Sequence, residues 1–218
     1  MRILFATVLC AIAASASATS YNSLAPFLSD NPGVTLINFD TVPGGGAAPN
    51  SGDIGNTYAS LGVTFSSGNQ FTSSFAGPVS PPNGWLNNTD IGGGTIQFDA
   101  DFTASGIQAV GVFNVRFSGV PAGSLLQAFD SSSVLLGSVL SDNDGNTKDF
   151  FGLTTSSDIA RITITVAAAQ GFGLDDLYFG PAGAGPSNSV PDTASTLGLL
   201  AIGLLAVFVL QNRFAMQN

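Results

Sequence analysis

Carboxylates are the main chemical resource of this 218-residue chain: it has fourteen aspartates, no glutamate, no histidine and a single cysteine, Cys10. Asp175 and Asp176 sit side by side in the largely apolar run Gly173-Leu174-Asp175-Asp176-Leu177-Tyr178-Phe179. A carboxylate in such a run needs a hydrogen-bond partner or an ion. Strand alternation sends neighbouring residues to opposite faces, so the two are expected not to share one pocket. Asp99 and Asp101 fall on one face of another alternating run and imitate a glycosidase pair. That chemistry needs two carboxylates across a cleft, so solubility is the simpler expectation. Asp142-Asn143-Asp144-Gly145-Asn146, followed by Asp149, is an acidic loop whose glycine comes too early for an EF-hand, with no downstream Glu to close it; a tight turn accounts for it. Trp85, in Pro81-Pro82-Asn83-Gly84-Trp85, falls in an irregular loop signal. An exposed Trp85, assisted by Tyr58, could stack on a sugar ring; the alternative is a tryptophan folded back over the core. Gly44-Gly45-Gly46 and Gly92-Gly93-Gly94 lack the spacing of phosphate-binding loops.

Several chemistries are excluded outright. Without histidine there is no Ser-His-Asp triad and no histidine zinc site. Cys10 lies near the N-terminus, within an expected leader, which leaves no thiol for disulfides, thiolate metal sites or nucleophilic catalysis. Between Thr19 and Ser189 thirteen aspartates stand against Arg116, Lys148 and Arg161. A domain so acidic does not neutralise phosphates, so nucleic acid is not an expected partner.

The elements that must position these residues are strands. Lys and Glu, good helix formers, are nearly or wholly absent, whereas Val, Ile, Thr and Phe are plentiful. In Arg161-Ile162-Thr163-Ile164-Thr165-Val166 the apolar residues alternate with polar ones. Thr95 to Asp99 alternates similarly, and Val110 to Phe117 places Phe113, Val115 and Phe117 on one face. Val34–Phe39, Gly62–Phe65, Leu125–Phe129, Val134–Leu140 and Leu174–Phe179 are further expected strands. Roughly eight closely spaced strands point to an all-β fold, an antiparallel β-sandwich of jelly-roll-like form, with no convincing helical period between the ends. The seventeen phenylalanines supply much of its core.

Both ends carry export signals. Arg2, the apolar run Ile3 to Ala14 and the small-x-small site Ala16-Ser17-Ala18 predict a signal peptide over 1–18, cut after Ala18. A lipoprotein signal at Cys10 is the rival reading, opposed by Leu9 in the position where a small residue belongs. The β domain is expected over 19–182 and a Pro/Gly/Ser linker over 183–189. Asp192 and Arg213 then bracket twenty uncharged residues, Thr193 to Asn212. As a helix these span about 30 Å, one hydrocarbon thickness, so a transmembrane helix is expected over about 194–212. Positive charge stays cytoplasmic, which puts Arg213 inside and the β domain outside.

Val190-Pro191-Asp192, Ser195-Thr196-Leu197, the apolar helix and the terminal Arg213 resemble the VPDSG-CTERM sorting signal, a relative of the PEP-CTERM signal of Gram-negative bacteria. Thr193-Ala194 stand where Ser-Gly is usual, and the basic cluster is reduced to Arg213. The resemblance implies an exosortase-type transpeptidase as partner, cleavage near Val190-Pro191-Asp192, and delivery to the cell envelope, surface or extracellular matrix through a transient or retained membrane anchor. Ile37-Asn38-Phe39-Asp40, Tyr58 with Leu61-Gly62-Val63-Thr64-Phe65, Phe150-Phe151-Gly152 and the closing Gly173–Phe179 run resemble the β-sandwich passenger domains that precede such tails. Likeness to jelly-roll carbohydrate-binding modules, where calcium ties the first strand to the last, implies a structural calcium ion on Asp40 and Asp176, with Asp175 also available. The expectation is therefore a non-enzymatic structural or interaction protein of the envelope or of exopolysaccharide and biofilm matrix. The alternative is a carbohydrate-binding module for polysaccharide with a structural calcium; a glycoside hydrolase on Asp99 and Asp101 is the third reading.

Overall fold

The computed structural model describes residues 18–73, 79–87, 96–116, 123–142, 148–166 and 172–183. In chain order its elements are β1 (Ala18–Tyr21), α1 (Leu24–Asp30), β2 (Thr35–Ile37), β3 (Ser51–Asp53), β4 (Val63–Phe65), β5 (Asn69–Thr72), β6 (Gly84–Asn87) and β7 (Ile96–Phe102). They continue with β8 (Ala109–Arg116), β9 (Ser124–Phe129), β10 (Leu135–Leu140), β11 (Lys148–Thr155), β12 (Arg161–Val166) and β13 (Phe172–Gly180). A 3-10 turn, Ala59–Leu61, precedes β4.

Two antiparallel sheets pack face to face as a β-sandwich. One runs β1-β11-β8-β13-β6-β5-β3, with β2 also paired to β13; the other runs β10-β9-β12-β7-β4. From β6 onward the chain alternates between sheets, interrupted only by the β9-β10 hairpin.

The five-stranded sheet follows simple alternation. Ile162, Ile164 and Val166 of β12 are buried, as are Ile96, Phe98, Ala100 and Phe102 of β7 and Leu126 and Ala128 of β9. They meet Phe39, Phe65, Phe71, Trp85, Val110, Val112, Phe151 and Leu153 in the main core. The outward side of β7 carries Gln97, Asp99 and Asp101, as the period-2 pattern predicts.

Around β11, β8 and β13 the larger sheet is buried on both faces, and this is where the expectations needed correction. There its outer face is covered by α1, a helix that the sequence pattern did not reveal. Phe27 of α1 is fully buried, with ring centroids 5.2 Å from Phe150 and 5.4 Å from Tyr21. Pro26 is tolerated because it lies in the first turn, where no intrahelical N–H bond is lost. Gly111 makes the close packing possible: a Cβ there would sit 2.5 Å from Phe150 Cζ. The expected strand at Val34–Phe39 is confined to Thr35–Ile37, and Phe39 then turns to a left-handed φ of 58°. Trp85 lies in β6 and not in an irregular loop.

Candidate functional site

The aspartates of β13 sit where that strand changes partners. Along one side β13 pairs with β8. Along the other it pairs with β6 at Leu174 and with β2 at Leu177–Phe179. Between these, the register against β8 slips: Asp175 faces Phe113, but Tyr178 faces Gly111. One extra residue is thus inserted, a β-bulge, and Asp176 takes it up with a φ of 48°. The bulge overturns the expectation that adjacent residues cannot share a pocket. Both carboxylates turn to the same residue, Ser80, and both are buried, at 0% and 5% exposure.

Ser80 is the centre of the arrangement. Its N–H donates to Asp175 Oδ2 at 3.0 Å, and its hydroxyl lies 2.7 Å from Asp176 Oδ1. The hydroxyl also lies 3.2 Å from the Asn38 carbonyl and 3.5 Å from Asp175 Oδ1. With one proton to give, it serves Asp176, the shortest contact. The Asp176 N–H donates to Asp175 Oδ1 at 2.9 Å. Asp40 joins from the segment after β2: its Oδ1 accepts the N–H of Asn83 at 2.7 Å. Asn38 shapes that segment, its side-chain oxygen accepting the N–H groups of Asp40 and Thr41.

The electrostatics follow from burial and crowding. Burial pushes Asp175 up to about 7, against the pull of the Ser80 N–H and with a push from Asp176. Asp176 is also raised, chiefly by burial; the Ser80 hydroxyl lowers it, Asp40 raises it and Lys148 lowers it. Tyr178 is pushed up to about 12 by burial and by the negative charge of Asp176 and Asp175. Chemically, the cluster ties the chain entering β6 to the end of β2 and the middle of β13. The carboxylates named as calcium ligands, Asp40, Asp175 and Asp176, are brought to one place, where Asp40 and Asp175 accept hydrogen bonds from backbone amides and Asp176 accepts one from the Ser80 hydroxyl. Among the described residues, no group of three or more acidic, His or Cys side chains is arranged to hold a metal ion.

The sugar-stacking expectation is corrected. Trp85 is fully buried, with ring centroids 4.9 Å from Phe65 and 5.3 Å from Phe98. Its indole N–H donates to Asn69 Oδ1 at 2.7 Å, and the Asn69 amide donates onward to the Ser66 carbonyl at 2.8 Å. Tyr58 is equally enclosed, its hydroxyl donating to the Thr41 carbonyl at 3.0 Å. Neither ring has a free face, because each fills core volume and spends its polar atom on an internal partner.

Asp99 is held by the Thr163 hydroxyl at 2.7 Å and by the Gln97 amide, on the open outer face of a sheet. Asp101 is exposed, opposite Arg161 and Thr64 in the neighbouring strands. Asn143 to Thr147 of the acidic loop and the glycines 92–94 lie outside the described residues, as do Ala16, Val190, Pro191, Asp192, Arg213 and the expected helix over 194–212. No helix among the described residues is long and apolar enough to cross a membrane. Ser80, Asn83 and Asn69 were missed in the sequence; each acts through backbone or single-residue geometry that leaves no periodic signal. No protein-family model, no curated protein and no solved structure matches this chain.

Proposed function

We propose that this chain is an exported structural or interaction protein of the cell envelope or extracellular matrix, a β-sandwich passenger carried between a signal peptide and a sorting tail. The observation that carries the reading is the β-sandwich itself: its two antiparallel sheets are built from strands β1 to β13, Ala18–Gly180, all but Ala18 inside the stretch 19–182 read from the sequence as the passenger domain. A second support is that the candidate polar residues Asp175, Asp176, Asn69 and Asn83 are turned inward to hold the fold.

The strand order supports a jelly-roll reading of the passenger. Strands β6 to β13 interleave as β11-β8-β13-β6 and β10-β9-β12-β7, the pattern of two nested Greek keys. On the sorting reading, Val190-Pro191-Asp192 is the processing motif of an exosortase-type transpeptidase. The helix over 194–212 is then a transient or retained anchor, with Arg213 on the cytoplasmic side of a Gram-negative-type inner membrane.

Intact mass and membrane partitioning of the protein from its native host test this. A species that starts at Thr19, ends near Val190 to Asp192 and fractionates with the surface or matrix is the expected result. A chain retaining both ends in the cytoplasm would refute it. A species with a full tail in the inner membrane would make the domain an anchored periplasmic one and remove the sorting step.

The alternative, a carbohydrate-binding module with a structural calcium ion, loses its two stacking rings. One observation favours its calcium half: Asn83 is 1% exposed, its N–H is bonded to Asp40, and its Oδ1 has no hydrogen-bond partner. A melting temperature that rises with millimolar calcium and falls with chelator would support that half. Indifference to both leaves the cluster to hydrogen bonding alone.

A further inference from the structure

Strand β1 holds the expected signal-peptidase bond inside paired backbone. Ala18 is opposite Thr155 and Thr19 opposite Thr154 in the antiparallel pair with β11, so the residues on both sides of the Ala18–Thr19 bond belong to the ladder. Tyr21 pins the strand at its far end. Its ring is buried edge-on to Phe27 at 5.4 Å, and its hydroxyl donates to Asp30 Oδ2 at 3.0 Å. At the near end Ala18, Thr19 and Ser20 are exposed, and Ala18 approaches the other sheet: a Cβ placed on Gly137 of β10 would lie 2.5 Å from Ala18 Cβ. β1 is thus the terminal strand of one sheet, and its first residue touches an edge strand of the other.

A peptidase must draw the residues flanking its scissile bond into its own cleft as an extended segment. It cannot do so while that strand is bonded to β11, so cleavage has to pass through an opened state at a rate set by the population of that state. We propose, resting on the reading of residues 1–18 as a signal peptide, that docking of β1 protects the Ala18–Thr19 bond from signal peptidase, so that signal removal precedes closure of the sandwich and a precursor that folds first stays uncut. The reaction is hydrolysis: water adds across the peptide bond, leaving a carboxylate on Ala18 and an ammonium on Thr19. Ala18 departs with the signal, and the mature strand keeps the pairs from Thr19 to Tyr21.

The test uses the full-length precursor in mild detergent with purified bacterial signal peptidase and mass spectrometry of the products. One sample is diluted from denaturant directly into peptidase; the other folds before peptidase is added. The prefolded sample should be cut at Ala18–Thr19 at least about tenfold more slowly, as expected when cleavage waits on an opened state. Tyr21→Ala, outside the small residues the peptidase reads, should bring the prefolded rate close to that of the freshly diluted chain. Hydrogen exchange adds a readout independent of the variant: the β1 amides bonded to β11 in the prefolded precursor should be protected. Equal cleavage rates in the two wild-type samples, or unprotected β1 amides, overturn the proposal while leaving the signal reading intact. No cut at this bond in either sample overturns both.

Discussion

Replacing Asp175 by Asn should change the stability of the sandwich with opposite sign at acid and alkaline pH. Asp175 is fully buried, and burial is the main cause of its rise from an ordinary 3.8 to about 7. A carboxyl whose folded value is raised binds more protons in the folded than in the unfolded state between those two pH values. Stability contributed by the group is therefore present near pH 4, is lost as pH rises towards 7, and is flat above that. Three pH units at about 1.4 kcal/mol each put the cost of the ionised form at about 4 kcal/mol above pH 7. Asp176, also raised, adds to the same trend. The Asn variant removes the ionisation but keeps only one acceptor oxygen, whereas Asp175 uses both, Oδ2 for the Ser80 N–H and Oδ1 for the Asp176 N–H. One buried donor is left facing an NH₂ group, at about 1–3 kcal/mol. The variant should then be less stable than the parent by up to about 2 kcal/mol at pH 4.5, where the parent has already lost about 1 kcal/mol, and more stable by about 1–3 kcal/mol at pH 8. Urea denaturation of the domain in calcium-free buffer, followed by tryptophan fluorescence from the single, buried Trp85, reads both values. A variant destabilised equally at both pH values would refute the reasoning, since it would mean that Asp175 is ionised and well paired throughout the range.

The other expectations concern packing. Trp85→Ala should destabilise the domain by about 3–5 kcal/mol in chemical denaturation, the cost of emptying a core site; an unchanged midpoint with lost polysaccharide retention would restore the ring as a surface binder. Gly111→Ala forces Phe150 off its contact with the sheet and should cost about 1–3 kcal/mol, measured as a lowered melting temperature. Asp99→Asn and Asp101→Asn, on the outer face, should each leave the midpoint within about 0.5 kcal/mol, and loss of a glycoside-cleaving activity in either variant would reopen the hydrolase reading.

Much of the fold was legible where a strand has one wet face. β12 and β9 were readable almost to the residue, and β7 over Ile96 to Asp99 though not over its last three residues, because their inward and outward positions alternate. β11 was not, because α1 covers the outer face of its sheet and five successive residues from Asp149 to Leu153 are buried. A strand covered on both sides shows no period-2 pattern. α1 itself is seven residues long, too short for a helical period to register.

The aspartates divide the same way. Residue types alone determined that any chemistry here rests on carboxylates, that nucleophilic histidine and cysteine mechanisms are closed, and that a carboxylate on an apolar strand needs a partner. Only the tertiary structure decided who the partner is. Asp175 and Asp176 share Ser80 because β13 pairs with β8 on one side and exchanges β6 for β2 on the other, and the bulge at that exchange cancels the alternation. Ser80 lies 95 residues from Asp175 in the chain, so no local rule relates them. Trp85 makes the same point. Its loop-like neighbours, two prolines, an asparagine and a glycine, gave it the look of a surface ring, and pairing of β6 with both β5 and β13 drew it into the core. Alternation and composition act within a strand; burial on both faces and partner exchange are properties of the assembled sheets.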